Sequence, residues 1–189
     1  APEDQLRKPG SCGVPAPGVS IKIFDDDGKE VSEPRVPGEL YAKSVAVFDT
    51  YYKSHDQYLE DHRDGYQTVG DIAYIDDDGY YFICDRKKDM IITGGVNVYP
   101  AEIENVLDDH PQVAEVAVFG IPDDEWGEAV CAVIVCMDNL NEKELIKFAK
   151  ERLSGPKVPK KVFIRSDLPK TGSGKVLKRE LKQWVQENS

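Results

Sequence analysis

At 189 residues the chain is long enough for one large domain or two small ones, and 40% hydrophobic with 31% charged residues is the composition of an ordinary folded protein. Its net charge of −11 argues against non-specific nucleic-acid binding, which needs an electropositive footprint. No apolar run approaches the roughly 20 residues that span a bilayer, and the opening Ala1-Pro-Glu-Asp-Gln-Leu-Arg-Lys8 lacks the apolar core of a signal peptide, so the expected compartment is the cytoplasm.

The first part reads as β structure. Val19-Ser-Ile-Lys-Ile-Phe24 alternates apolar residues, a turn is expected at Asp25-Asp-Asp-Gly28, and Gly38-Glu-Leu-Tyr-Ala42 is a further strand. Residues 49–66 are polar and aromatic and are expected to form a loop with a helical turn. Asp71–Ile75 and Tyr80–Cys84 form a hairpin through Asp76-Asp-Asp-Gly79, whose Asp-Gly step supplies the positive φ such turns require.

After Asp85 the pattern changes. Met90–Ile92 and Val96–Val98 flank Gly94-Gly95 as a small hairpin, and Pro100 suits the first turn of a helix with Ile103, Val106 and Leu107 on one face. His110-Pro111 ends that helix. Two buried strands are expected, Val113 to Phe119 and Ala129 to Val135, joined by Ile121–Gly127. Asn141, with Glu144 three residues on, caps a helix carrying Leu145, Phe148, Ala149 and Leu153. A strand at Val162–Arg165, a loop around Lys175, and a last helix through Leu177, Leu181 and Trp184 complete the chain. The fold class is α+β: a small β-barrel-like subdomain over residues 1–84, then a compact α+β domain over 85–189. The boundary is placed between about Cys84 and Lys88, where all-β sequence meets mixed sequence.

Several chemistries are excluded by spacing. Cys12, Cys84, Cys131 and Cys136 match neither a zinc site nor a Cys-x-x-Cys pair, and read as reduced thiols. His55, His62 and His110 form no metal spacing, and no Gly-x-Ser-x-Gly elbow is present. Gly174-Lys175 is followed by Val176, and Pro169 stands where a phosphate-cradling P-loop needs its first glycine. Between Lys157 and Lys182, however, nine basic residues face only Asp167 and Glu180. That end is either a solvated face or a site for a polyphosphate. Lys175 lies there on Pro169-Lys-Thr-Gly-Ser-Gly-Lys175, where Gly172 and Gly174 let the backbone move.

Four blocks, in order and spacing, resemble the last core motifs of the adenylate-forming enzymes: the acyl-CoA synthetases, luciferases and peptide-synthetase adenylation domains. They are Gly65-Tyr-Gln-Thr-Val-Gly-Asp71, Asp85-Arg-Lys-Lys-Asp-Met-Ile-Ile-Thr-Gly-Gly95, Asn97-Val-Tyr-Pro-Ala-Glu-Ile-Glu104 and Pro169–Lys175. The wording around Asp85–Pro100 is similar to the fatty or aryl acyl-CoA synthetase branch.

The resemblance implies roles that the residues alone leave open. Asp71, otherwise a turn-capping carboxylate, matches the aspartate that binds the ATP ribose hydroxyls. Arg86, otherwise a surface arginine beside Asp85 and Asp89, matches the arginine at the ribose and phosphate region. Lys88 matches the hinge about which the C-terminal lid rotates between half-reactions. Gly94 and Gly95, otherwise a plain hairpin turn, match the turn that lines the tunnel for the CoA pantetheine arm. Lys175, otherwise an exposed lysine, matches the one that stabilises charge as a carboxylate attacks the α-phosphate.

The implied reaction converts a carboxylic acid, expected to be a fatty acid, with MgATP into an acyl-adenylate, and then with CoA into a thioester. The family's phosphate loop, the glutamate that binds Mg and the acyl pocket belong to a portion upstream of this sequence, so no metal ligand is expected here and the chain alone is expected to be inactive. Val69 stands where many members place Thr before Gly-Asp, with Thr68 one place displaced. The competing reading is a non-catalytic lid module that binds CoA or nucleotide, or docks on a partner carrying the large domain. The Ala1-Pro-Glu-Asp start favours the first.

Overall fold

The computed structural model describes residues 2–45, 50, 52–137 and 140–189. Ala1 therefore lies outside the described residues, as do Asp49 and Tyr51 at the start of the stretch expected to loop. The chain divides into two compact units, Ala1–Lys88 and Asp89–Ser189. Its class is α+β.

The first unit contains α1 (Pro2–Arg7), β1 (Val19–Phe24), β2 (Gly38–Ser44), α2 (His55–Glu60), β3 (His62–Arg63), β4 (Tyr66–Ile75) and β5 (Tyr81–Arg86). One antiparallel sheet joins its strands. β1 lies along β2 from Val19↔Ser44 to Phe24↔Glu39, β2 pairs one side of β4, and β3 and β5 share the other side. Strand β5 runs on through Arg86, so Asp85 and Arg86 belong by hydrogen bonding to the first sheet. The Asp-rich turn after β4 forms as its residues require. Asp76 Oδ1 accepts from the Asp78 and Tyr80 amides at 3.0 and 2.9 Å, and Gly79 takes φ +84°. The core of this unit is thin: Ile23, Phe24, Tyr41, Ile72 and Ala73. Phe24 meets Tyr41 edge to face at 5.2 Å, and the Arg63 guanidinium caps both rings at 4.9 and 5.7 Å.

The helix α1 was not expected from periodicity, and its anchors are distant in sequence. Lys8 Nζ meets the carboxylates of Asp76 and Asp78, each at 2.6 Å, while Arg7 donates to the Tyr80 hydroxyl at 2.9 Å. The Lys8 ammonium, together with the amides of Tyr80 and Asp78, holds the Asp76 carboxyl below its ordinary value.

The second unit contains β6 (Ile91–Thr93), β7 (Val96–Val98), α3 (Pro100–Asp108), β8 (Val113–Asp123), β9 (Gly127–Cys136), α4 (Glu142–Lys150), β10 (Lys161–Arg165) and α5 (Lys178–Glu187). β9 is central. It pairs antiparallel with β8 along one side, and on the other with β10 in parallel and with β6 at Thr93↔Gly127. Both long strands are buried on two faces, which explains their nearly unbroken apolar runs. Val118, Val130, Ala132 and Ile134 pack with Ile103 and Leu107 of α3 and Leu145 and Ala149 of α4. The alternate residues Ala117, Phe119, Cys131 and Val133 pack with Leu181 and Val185 of α5.

The segment Ile121–Gly127, expected as a connection, is mostly strand. Pairing continues to Asp123↔Gly127 and leaves Asp124–Trp126 as the tip, where Asp123 Oδ1 accepts from the amides of Glu125 and Trp126. Asn141 caps α4 by accepting from the Lys143 amide at 3.0 Å, but the reciprocal bond expected from the Glu144 side chain is absent among the described residues, and only the Glu144 amide bonds to the Asn141 carbonyl. No disulfide links the four cysteines, and burial pushes the thiol of Cys131 up to about 12.

Candidate functional site

In the first unit, pairing across the sheet sets Asp71 opposite Arg86. The Arg86 Nε lies 2.8 Å from Asp71 Oδ1, and its Nη1 donates to the Val69 carbonyl at 3.0 Å. The arginine is thus held at two points while its side chain stays half exposed and the aspartate is mostly covered. Thr68, although displaced from the family position, is engaged: its hydroxyl donates to Glu39 Oε1 at 3.1 Å and accepts from the Gly70 amide at 3.0 Å. Glu39 also binds Lys87 Nζ at 2.8 Å, and this bond raises the lysine's pKa. Gly70, with φ +76°, makes the bend that separates Val69 from Asp71.

Of these groups Glu39, Val69, Gly70, Arg86 and Lys87 line a depression of about 390 Å³, together with Gln57, Asp61 and Lys88, while Asp71 reaches it only through its ion pair with Arg86. It presents carboxylates that accept and cations that donate side by side, a set suited to a ligand with hydroxyls at one end and phosphate oxygens at the other. Lys88 is exposed on the 3-10 turn Lys87–Asp89, at the last position of the first unit.

In the second unit, Gly94 and Gly95 form the turn between β6 and β7, with φ +58° and +77°. Gly94 is constrained by its surroundings as well. A Cβ there would meet the Trp126 ring at 2.6 Å, and its amide donates to the Trp126 carbonyl at 2.9 Å. The same indole carries Lys160, whose Nζ lies 3.6 Å from the ring centroid. Glu128 Oε2 accepts from the Ile92 amide at 2.8 Å and fixes the base of the hairpin. Trp126 and Glu128 belong to none of the sequence motifs. A tryptophan in what read as a connecting loop, and a glutamate just past its end, carry no periodic signal, and only the extended β8–β9 pairing brings them to the hairpin.

Lys175 occupies a tightly closed turn. The Thr171 amide donates to the Lys175 carbonyl at 2.8 Å, the Gly174 amide to the Thr171 carbonyl at 2.9 Å, and the Lys175 amide to Thr171 Oγ1 at 3.1 Å. Lys170 and Val176 pair across its neck. The glycines therefore serve a defined turn, with Gly174 at φ +85°, in place of the mobile backbone that their number suggests. Lys175 itself is exposed, and among the described residues of this unit no carboxylate pairs with its ammonium. Its neighbours differ: Lys170 binds Glu115 at 2.7 Å and Lys178 binds Glu104 at 2.8 Å.

Asp71 and Arg86 are thus brought together in the first unit beside Lys88. Gly94, Gly95 and Lys175 stand on two separate turns of the second. Among the described residues no helix is long and apolar enough to cross a membrane.

Comparison with known proteins bears on this arrangement. Residues 102–175 match the AMP-binding enzyme C-terminal domain, and residues 1–52 match the AMP-binding enzyme family. The chain is 46% identical over 174 residues to a long-chain-fatty-acid–CoA ligase of Escherichia coli O157:H7, covering 92% of this chain and 31% of that protein. It is 40% identical over 182 residues to a 2-succinylbenzoate–CoA ligase of Bacillus cereus strain ZK / E33L, covering 96% and 37%. Among solved structures it resembles o-succinylbenzoate CoA synthetase from Bacillus subtilis in complex with its acyl-adenylate intermediate, with TM-score 0.89, 38% identity, and coverage of 96% of this chain and 37% of that one. It also resembles ATP-bound MatB from Rhodopseudomonas palustris, with TM-score 0.87, 37% identity, and coverage of 95% and 36%. The chain spans about a third of the length of the curated relatives it matches.

Proposed function

The chain belongs to the family of AMP-binding enzymes, and from that premise we propose that it forms the C-terminal part of an AMP-forming acyl-CoA ligase. The reaction has two steps. A carboxylate oxygen of the acid attacks the α-phosphorus of ATP and pyrophosphate leaves with the electrons of the broken P–O bond. The CoA sulfur then attacks the acyl carbonyl, its proton is lost, and AMP departs.

Asp71 accepts hydrogen bonds from the ribose hydroxyls, and Arg86, steadied by Asp71 and the Val69 carbonyl, directs its remaining donors at the nucleotide. Lys88 is the hinge, at the end of the first unit and within a 3-10 turn that regular pairing does not fix. The bare turn Gly94-Gly95, walled by Trp126, borders the path of the pantetheine arm. Lys175 neutralises the charge that builds at the α-phosphate. The observation that carries this reading is the isolation of Lys175: an ammonium on a closed turn without a carboxylate of its own unit, between two lysines that have one. Mg²⁺ accompanies ATP as a neutralising cation, with its ligands in the remaining two thirds of the enzyme. A fatty acid is the proposed substrate, supported by the higher identity to the long-chain ligase than to the 2-succinylbenzoate ligase.

The test compares half-reactions in the complete polypeptide that carries this chain. Lys175→Ala is expected to slow acyl-adenylate formation by about 10²- to 10³-fold, the scale of one lost electrostatic contact in a transition state. Thioester formation from preformed acyl-adenylate should change little. Equal losses in both half-reactions contradict the assignment.

A further inference from the structure

The turn that bears Lys175 is tied to the body of its unit on both sides, and the two ties differ in construction. On the upstream side Lys170 meets Glu115 of β8 at 2.7 Å, with both side chains more than a third exposed. On the downstream side Lys178, the first residue of α5, meets Glu104 of α3 at 2.8 Å, with both side chains about three-quarters covered. The same oxygen, Glu104 Oε1, also accepts from the Val118 amide of β8 at 2.8 Å. Glu104 therefore joins three elements at one atom: the helix on which it stands, the central part of β8, and the start of α5, three residues beyond Lys175. Covered and anchored to a backbone amide, this carboxylate has far less freedom than a surface partner, and its pull on Lys178 is correspondingly directional.

We propose that Glu104 is a positioning residue for Lys175. By fixing Lys178 it sets the first turn of α5, and with it the exit of the closed turn, so that the Lys175 ammonium is presented in one place. It also occupies the nearer competing cation, which leaves Lys175 as the cation the turn offers. The inference rests on the catalytic reading of Lys175, and it predicts a loss confined to the step that lysine serves. Displacing a catalytic group by about 1 Å is enough to cost 10²-fold.

Glu104→Gln is the sharp variant, because the amide oxygen can still accept from the Val118 amide while the negative charge that faces Lys178 is lost. Lys178→Gln breaks the same pair from the other side. In the complete polypeptide, each is expected to lower kcat for acyl-adenylate formation by about tenfold, with KM for ATP and acid and the rate of thioester formation from preformed acyl-adenylate within twofold of wild type. The double variant should lose no more than either single one, since both remove one interaction. On a Lys175→Ala background Glu104→Gln should add nothing, whereas a general weakening of the fold would still lower the rate there. Adenylation within twofold of wild type in Glu104→Gln, while Lys175→Ala is strongly impaired, overturns the positioning role and leaves Lys175 standing. Equal losses in both half-reactions, accompanied by a lowered Tm, also overturn it in favour of a purely structural pair. An unimpaired Lys175→Ala enzyme overturns both readings, because Glu104 then has no catalytic group to position.

Discussion

The two units hold themselves together differently. In the second, β8 and β9 are covered on both faces, by α3 and α4 on one side and α5 on the other, and the large buried side chains include Phe119, Ile134, Leu145 and Leu181. In the first, a single sheet buries Ile23, Phe24, Tyr41, Ile72 and Ala73, and much of the remaining cohesion is charge set against ring or carboxylate: Arg63 over Phe24 and Tyr41, Lys22 and Lys43 over Tyr66, and Lys8 between Asp76 and Asp78. The teaching is that the proposed chemistry divides along the same line. Groups that would hold a nucleotide sit on the charge-rich sheet, and groups that would move into the reaction sit on turns of a unit with an apolar core on both faces of its sheet.

Truncation of a side chain in the second core is expected to cost the most. Leu181→Ala should destabilise the protein by about 2 to 5 kcal/mol, the range for a buried leucine, whereas Ile72→Ala in the thinner first core should fall near the lower end. Urea titration of each variant checks this, and equal losses would remove the contrast. A smaller loss, about 1 to 2 kcal/mol, is expected for Gly94→Ala, because a left-handed backbone must then carry a Cβ that meets Trp126. Trp126 should be pushed off the hairpin, and a shift of tryptophan emission would report it.

pH should separate the units by direction. Asp76 titrates below its ordinary 3.8 in the fold, so its contribution is present above that value and is lost as pH falls through the folded one. Lys8→Ala should therefore flatten the acid limb of the unfolding curve. Cys131 behaves oppositely: the unfolded thiol ionises near 9.0 and the folded one at about 12, so stability is full below 9.0 and declines as pH rises through that interval. Cys131→Ala should lose less stability than wild type between pH 8 and pH 10. The smallest effect belongs to Thr93, whose buried hydroxyl lacks a partner among the described residues. Thr93→Val should be neutral or stabilising by less than about 1 kcal/mol, since a valine of the same shape leaves nothing unsatisfied.

Much of the second unit was legible because its signals are local. Pro100 opens α3, Asn141 caps α4, and the apolar runs of β8 and β9 announce strands buried twice over. Helix α1 was not legible, since its anchors at Asp76, Asp78 and Tyr80 lie some seventy residues away. The strand character of Ile121–Asp123 was hidden by Pro122 and the acidic residues around it, which read as a loop until pairing with β9 carries them along. For the candidate site, the motifs brought Asp71, Arg86, Lys88, Gly94, Gly95 and Lys175 into view as residues. The supports beside them follow from tertiary placement: Trp126 behind Gly94 lies outside every motif, and Glu104, although it closes the third block, meets Lys178 only in the folded unit.

Glu104 has a consequence beyond the proposed reaction. Among the described strands β8 pairs only with β9, which leaves an eleven-residue strand with an open hydrogen-bonding margin. Such a margin is a template on which a strand of another molecule can grow. A carboxylate seated on the Val118 amide occupies the middle of that template and puts a charge where an incoming backbone would have to lie. The side chain that ties α5 down thus also fills one hydrogen-bonding position on the unpaired side of that strand.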